Sequence, residues 1–175
     1  MLIDGKPSRT IQEIDNYKLS IIDQTLLPHK LEFKILSDLE DVYCAIKNMW
    51  VRGAPLIGIT AAYGMTLAIK NNSSDKNINE EEKKLLTSRP TAIDLKWAIK
   101  KVKETVLPLK PRERFEAAWA ISGKLAEDSV LQCSKIGDIG KDLILQRFKN
   151  KKNINILTHC NAGWLACVDW GTALS

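Results

Sequence analysis

The run Ile154-Asn155-Ile156-Leu157-Thr158 ends in His159-Cys160-Asn161-Ala162-Gly163, and an apolar segment from Trp164 to Leu174 follows. A short β-prone run, a Gly-containing turn and an apolar segment read in that order as strand, turn and helix. This constrains the fold more than any other stretch, because a strand that feeds a helix belongs to an α/β layer. It also sets a thiol, Cys160, where the strand meets a helix N-terminus. In open α/β sheets ligands bind there, since turn amides and the helix dipole both point to that spot.

Most of the preceding chain reads as a scaffold leading to that turn. Residues 1 to about 36 read as short antiparallel strands, with a turn at Asp4-Gly5-Lys6, a β-rich run from Tyr17 to Ile22, and a second run from Leu31 to Leu36 after Pro28. Ser37 and Glu40 form an S-x-x-E capping box for a helix whose apolar face is Val42, Ala45, Ile46 and Met49. The tight connection Val51-Arg52-Gly53-Ala54-Pro55 precedes a helix over about 55–70. Pro55 suits its first turn, and the small residues Gly58, Thr60, Ala61, Ala62 and Gly64 mark it as central and buried. Asn71 to Asn79 is polar and aperiodic, and reads as a surface loop.

Ser88-Arg89-Pro90-Thr91 is a second tight connection. Pro90 holds Arg89 extended, and Thr91 is placed to cap a helix with Leu95, Ala98, Ile99 and Val102 on its buried face. Pro108 and Pro111 separate it from a helical stretch over about 112–148, where Gly137 and Gly140 predict a break or a close helix contact. Asn150-Lys151-Lys152-Asn153 is the expected boundary between a domain over 1–150 and the start of another over 151–175.

Composition narrows the function classes. The chain has 175 residues, enough for one domain and part of a second, and a net charge of +5. Its lysines are scattered among glutamates rather than set in a stripe with aromatics, which disfavours a nucleic-acid partner. No apolar run is long enough to span a bilayer, so no membrane partner is expected. Cys44, Cys133, Cys160 and Cys167 form no C-x-x-C pair and only two histidines accompany them, which argues against structural zinc. With no leader-like h-region at the N-terminus, free thiols predict a cytoplasmic location.

Arg52, Arg89 and Cys160 each fall in a loop that opens a helix. An arginine beside free N-terminal amides is a phosphate receptor, because the guanidinium supplies a planar fork of donors. A cysteine in the same setting has a lowered pKa and can act as acid, base or nucleophile. Taken singly, such arginines are more often surface ion-pair partners, and a cysteine like Cys160 is more often a small packed hydrophobe. His159 is expected in the core, on the face opposite Cys160. Trp164 and Trp170 read as packing residues, and Asp169 as a solvated or capping carboxylate.

Val51-Arg52-Gly53-Ala54-Pro55-Leu56-Ile57-Gly58-Ile59, Ser88-Arg89-Pro90-Thr91-Ala92 and Leu157-Thr158-His159-Cys160-Asn161-Ala162-Gly163 together resemble the S-methyl-5-thioribose-1-phosphate isomerase family. Asp23-Gln24-Thr25-Leu26-Leu27-Pro28 and the glycines Gly137 and Gly140 match as well, so the resemblance runs along almost the whole chain. The superfamily also holds the regulatory α, β and δ subunits of translation initiation factor 2B.

The resemblance implies an α/β fold: a small N-terminal β-sheet plus helical domain, then the truncated start of a Rossmann-like domain. It implies substrate contacts from Arg52, Gly53, Ala54 and Arg89, and an active-site thiol at Cys160. The implied reaction is an aldose–ketose isomerisation of 5-methylthioribose 1-phosphate in methionine salvage, with no metal or organic cofactor and with a homodimer as the full-length form. A non-catalytic protein resembling the initiation-factor subunits and a ribose-1,5-bisphosphate isomerase are the alternative readings. The family's proton-donor aspartate lies beyond residue 175, and Asp169 does not match its motif. Little turnover is therefore expected from this chain, together with poor packing of Trp164, Leu165, Val168 and Trp170.

Overall fold

The computed structural model describes residues 1–175. Two hairpins open the chain. Strands β1 (Leu2–Ile3) and β2 (Lys6–Pro7) pair across Asp4-Gly5, both at positive φ, as a tight two-residue hairpin turn requires. Strands β3 (Ile11–Ile14), β4 (Lys18–Ile22) and β5 (Phe33–Leu36) form an antiparallel sheet in that order. Ile11 lies opposite Ile21 and Leu19 opposite Leu36, and all four side chains are buried on the face turned to the helices.

Helix α1 (Leu39–Lys47) buries Leu39, Val42, Ala45 and Ile46. Its cap sits one residue later than the S-x-x-E spacing predicts. Asp38 Oδ1 accepts from Asp41 N–H at 2.9 Å, and Asp41 Oδ2 accepts from Ser37 N–H at 2.8 Å. The cap is thus Asp38, with Asp41 reaching back to the residue before it, because a carboxylate is as good a cap as a hydroxyl and an acid in the first turn favours the dipole.

Helix α2 (Ala54–Asn71) is the axis of the molecule. Every residue from Leu56 to Ile69 is buried, and the helix packs against α1, α3 (Asp75–Leu86), α4 (Ile93–Val106) and α5 (Pro111–Arg147). Its small residues allow this close approach. A Cβ on Gly64 would lie 2.6 Å from Val42 Cγ1, and one on Gly58 would lie 3.0 Å from the Asp94 carbonyl oxygen. Thr66 ties α2 to α5 through Ala118 O at 3.1 Å and Ser122 Oγ at 2.9 Å.

Three local expectations are corrected. Residues 71–79 are not a loop: only Asn72 to Ser74 are, and Ser74 caps α3 by accepting from Asn77 N–H. That helix buries only Ile78 and Leu85, which leaves too thin an apolar stripe to register as a period. Thr91 does not cap α4; the N-cap is Ala92 and no side chain accepts there. Helix α5 does not break at its glycines. Gly137 instead admits Ser175, whose atoms would crowd a Cβ at 2.7–3.0 Å. No helix is long and apolar enough to cross a membrane.

The strand over 154–158 is also corrected. Residues 151–161 are exposed and irregular, with Leu157 98% exposed and His159 exposed rather than in the core. A strand exists only where a neighbour satisfies its backbone groups. The three-stranded sheet lies elsewhere, so nothing pairs with this run. The helix over 164–174 reduces to one 3₁₀ turn, Trp164–Ala166. Beyond it, Trp170 and Gly171 adopt positive φ. The segment nevertheless packs: Thr10 N–H donates to Val168 O at 3.2 Å, Thr10 Oγ1 donates to Cys167 O, and Val168 joins the main core. The poor packing expected of Val168 is not found, while Trp170 stays half-exposed.

Candidate active site

The connection Val51 to Ala54 enters α2 with Gly53 as N-cap at φ +98°. This glycine answers two demands. An L side chain rarely adopts that backbone, and a Cβ there would stand 2.5 Å from Ala166 Cα, Cβ and O. Pro55 lies in the first turn and no side chain caps the helix, so its first amides are left to a ligand or to water. Arg52 is exposed beside them, with no carboxylate partner.

The docked segment supplies the opposite wall. Arg52, Gln24, Cys160, Asn161, Gly163 and Trp164 line one cleft of about 500 Å³, a volume that suits a small phosphorylated metabolite. No carboxylate lines it. Two of the three loops singled out from the sequence, those of Arg52 and Cys160, therefore meet.

The geometry departs from expectation at Cys160. It is exposed, at φ +76°, in a loop; the nearest helical turn begins at Trp164 and spans three residues. A non-glycine residue in the left-handed region is strained, and such strain collects at functional loops. The helix N-terminus that was to activate the thiol is not formed.

Arg89 is half-buried in the turn between α3 and α4, where its carbonyl accepts from Ala92 N–H at 3.0 Å and its side chain has no ion pair. It does not line the cleft. Gly53 and Ala54 are not in its lining; they are the N-cap and first residue of α2, next in sequence to Arg52, which is.

Sequence reasoning missed two residues. Gln24 is buried; its N–H donates to Trp50 O at 2.9 Å and its Nε2 donates to Leu165 O at 2.7 Å. One residue thus holds both segments in register, the Arg52 connection through its backbone and the Cys160 segment through its side chain. No local pattern announces this, because both partners are distant in sequence. Trp164, read as packing, lines the cleft, and its buried indole Nε1 has no hydrogen-bond partner.

Next to Gln24, Asp23 is anchored by Thr25 N–H at 3.0 Å, Thr25 Oγ1 at 2.6 Å and Lys34 Nζ at 3.4 Å. Burial pushes its carboxyl up, but the two Thr25 bonds and Lys34 outweigh it and hold it below the ordinary carboxylate value.

Architecture and cleft together define an α/β protein with a small antiparallel sheet on a helical body, a thiol and a free guanidinium facing one opening. The family model described as "Initiation factor 2 subunit family" matches residues 50–169, more than half the chain, and the chain belongs to that family. Two similar relatives are methylthioribose-1-phosphate isomerases, from Methylocella silvestris at 47% identity and from Escherichia coli at 46%. The matches cover 99% and 100% of this chain and 48% of each relative. The chain spans about half the length of the curated relatives it matches.

Two solved structures are similar. Subunit delta of the translation initiation factor eIF-2B from A. fulgidus matches with a TM-score of 0.81 at 35% identity, over 96% of this chain and 49% of that one. The 5-methylthioribose 1-phosphate isomerase from Pyrococcus horikoshii matches with a TM-score of 0.79 at 32% identity, over 95% and 47%.

Proposed function

We propose that this chain carries the first half of a methylthioribose-1-phosphate isomerase site. On this reading residues 1–150 form the first domain and residues 151–175 open a second. The observation that carries the reading is the meeting of Arg52 and Cys160 across one cleft, in a chain 44–48% identical to isomerases of that name. Arg52 and the adjoining amides at Gly53 and Ala54 bind the phosphate, and Cys160 is the thiol at the reacting carbons; Arg89, which does not line the cleft, enters as a substrate contact on the family resemblance alone.

The chemistry sets what the site must supply. The C1 phosphate keeps the sugar ring closed, so the ring C1–O bond must break as the ring oxygen gains a proton. One hydrogen then moves from C2 to C1, and the C2 hydroxyl loses its proton to become the ketone. A thiol can take and return protons at these carbons, and Arg52 holds the dianion in place. The donor to the ring oxygen needs an acid, and the cleft lining contains no carboxylate. Binding without turnover is therefore the expected behaviour of these 175 residues, with the substrate a phosphorylated sugar and the location cytoplasmic.

Titration calorimetry with 5-methylthioribose 1-phosphate tests the reading. Arg52→Ala should weaken binding by about 10- to 100-fold, the size of lost charge-assisted hydrogen bonds. Arg89→Ala tests the contact that only the resemblance supplies: weaker binding would keep Arg89 in the site, and unchanged binding would remove it. Absence of binding by the unaltered chain would refute the reading. It would favour the regulatory alternative, since this chain is as similar in fold to the subunit delta structure as to the isomerase.

A further inference from the structure

Two buried thiols outside the cleft face one another. Cys133 sits on α5 and is 3% exposed; Cys167 sits in the docked segment and is fully buried. With Ala166 they form a small apolar cluster of their own, separate from the main core. Burial first, and then the neighbouring Cys133, push the Cys167 thiol up to about 12. Neither is in a disulfide, and neither takes part in the proposed chemistry.

The two differ in their surroundings. A cavity of about 200 Å³ lies between α2, α4 and α5, walled by Pro55, Asp94, Trp97 and Ile136. Cys133 contributes to the wall of that cavity and Cys167 does not. Ala166, next to Cys167, is the residue that packs on Gly53 and walls the cleft.

We propose that Cys133 and Cys167 are an oxidation site: a small-molecule disulfide of the glutathione class converts them to an intrachain disulfide that fixes the cleft-wall segment to α5. The exchange proceeds in two balanced steps. Cys133, as thiolate, attacks one sulfur of the small disulfide, breaks its S–S bond, and releases one small thiol after that thiolate takes up the proton. Cys167 then loses its proton and attacks the Cys133 sulfur, releasing the second small thiol. One S–S bond breaks and one forms, and two protein thiols are oxidised as two small thiols are made. The roles follow from the cavity: Cys133 contributes to its wall and is the attacker, and Cys167, which does not, is the resolver.

The test uses the full chain carrying C44S and C160S, which removes the half-buried and the exposed thiol and leaves the pair. After incubation with oxidised glutathione, the expected product is a monomer lighter by two hydrogen atoms, with peptide mapping that joins Cys133 to Cys167. Amide exchange over residues 162–168 should slow at least several-fold on oxidation and recover on reduction. A stable glutathione adduct on Cys133 with Cys167 still a thiol would overturn the proposal. Two unreacted thiols, or cross-links only between molecules, would overturn it too. Adding C133S should abolish the intrachain product; its persistence would also count against the assignment.

Discussion

Replacing Gly53 by alanine should undock the segment that walls the cleft while leaving the helical body folded. The new Cβ meets three Ala166 atoms at 2.5 Å, two of them backbone, and no rotamer change can relieve that contact. The φ of +98° adds a conformational cost of roughly 1–2 kcal/mol for an L residue. Overpacking of this kind costs about 1–3 kcal/mol. Together they amount to about 2–5 kcal/mol, but the chain need not absorb all of it. Residues 162–168 are held by Gln24 Nε2 to Leu165 O, by two bonds from Thr10, and by burial of Val168. Each such bond is worth about 1 kcal/mol net. Releasing the segment therefore costs no more than its own docking energy, which caps the global loss.

Amide exchange separates the two responses. Protection at residues 163–168 should fall by roughly 30-fold or more, which corresponds to about 2 kcal/mol. Protection in the middle of α2 should hold. Unchanged exchange in both regions would show that the Gly53–Ala166 contact is not what the geometry indicates. Equal loss in both would show that the segment and the body unfold as one unit.

Two other positions give independent checks. Thr66→Val removes the partner of the buried Ser122 hydroxyl and should cost about 1–3 kcal/mol in urea denaturation, with the double variant T66V/S122A regaining part of it, since two apolar groups leave nothing unsatisfied. Asp23 sets an acid dependence. Its folded-state carboxyl lies below the ordinary 3.8, so its contribution is present above that value and is lost as pH falls through the lower folded value. Denaturation midpoints of the unaltered chain should drop over that range, and those of Asp23→Asn should drop less.

The fold was legible where periodicity reports burial. Leu56 to Ile69 reads as a central helix because small and branched residues leave no polar face, and the structure buries all of it. Legibility failed where a property belongs to a pair. Ile154 to Thr158 has strand composition, but strand is a relation between two segments and no second segment is there. It failed again in α3, whose stability rests on its Ser74 cap, on Ile78 and Leu85, and on Arg114, which donates to Ser73 O and Asp75 from across the chain. The S-x-x-E cap was off by one residue because Ser37 and Asp38 both suit the role and only the fold selects between them.

The site shows the same division and yields a sharper test. The loops of Arg52 and Cys160 were legible as loops, yet what sets their spacing is Gln24 and the Gly53–Ala166 contact, both long-range. If the wall is docked for only a fraction of the time, apparent affinity scales with that fraction. Gly53→Ala should then weaken sugar-phosphate binding by the factor by which it lowers the docked population, and exchange over residues 163–168 should report that factor directly. Arg52→Ala should weaken binding and leave exchange unchanged, since Arg52 makes no hydrogen bond or ion pair to the segment. Equal effects of both substitutions on exchange would mean that the guanidinium holds the wall rather than the ligand. That outcome would remove Arg52 from the phosphate role while leaving Cys160 in the cleft.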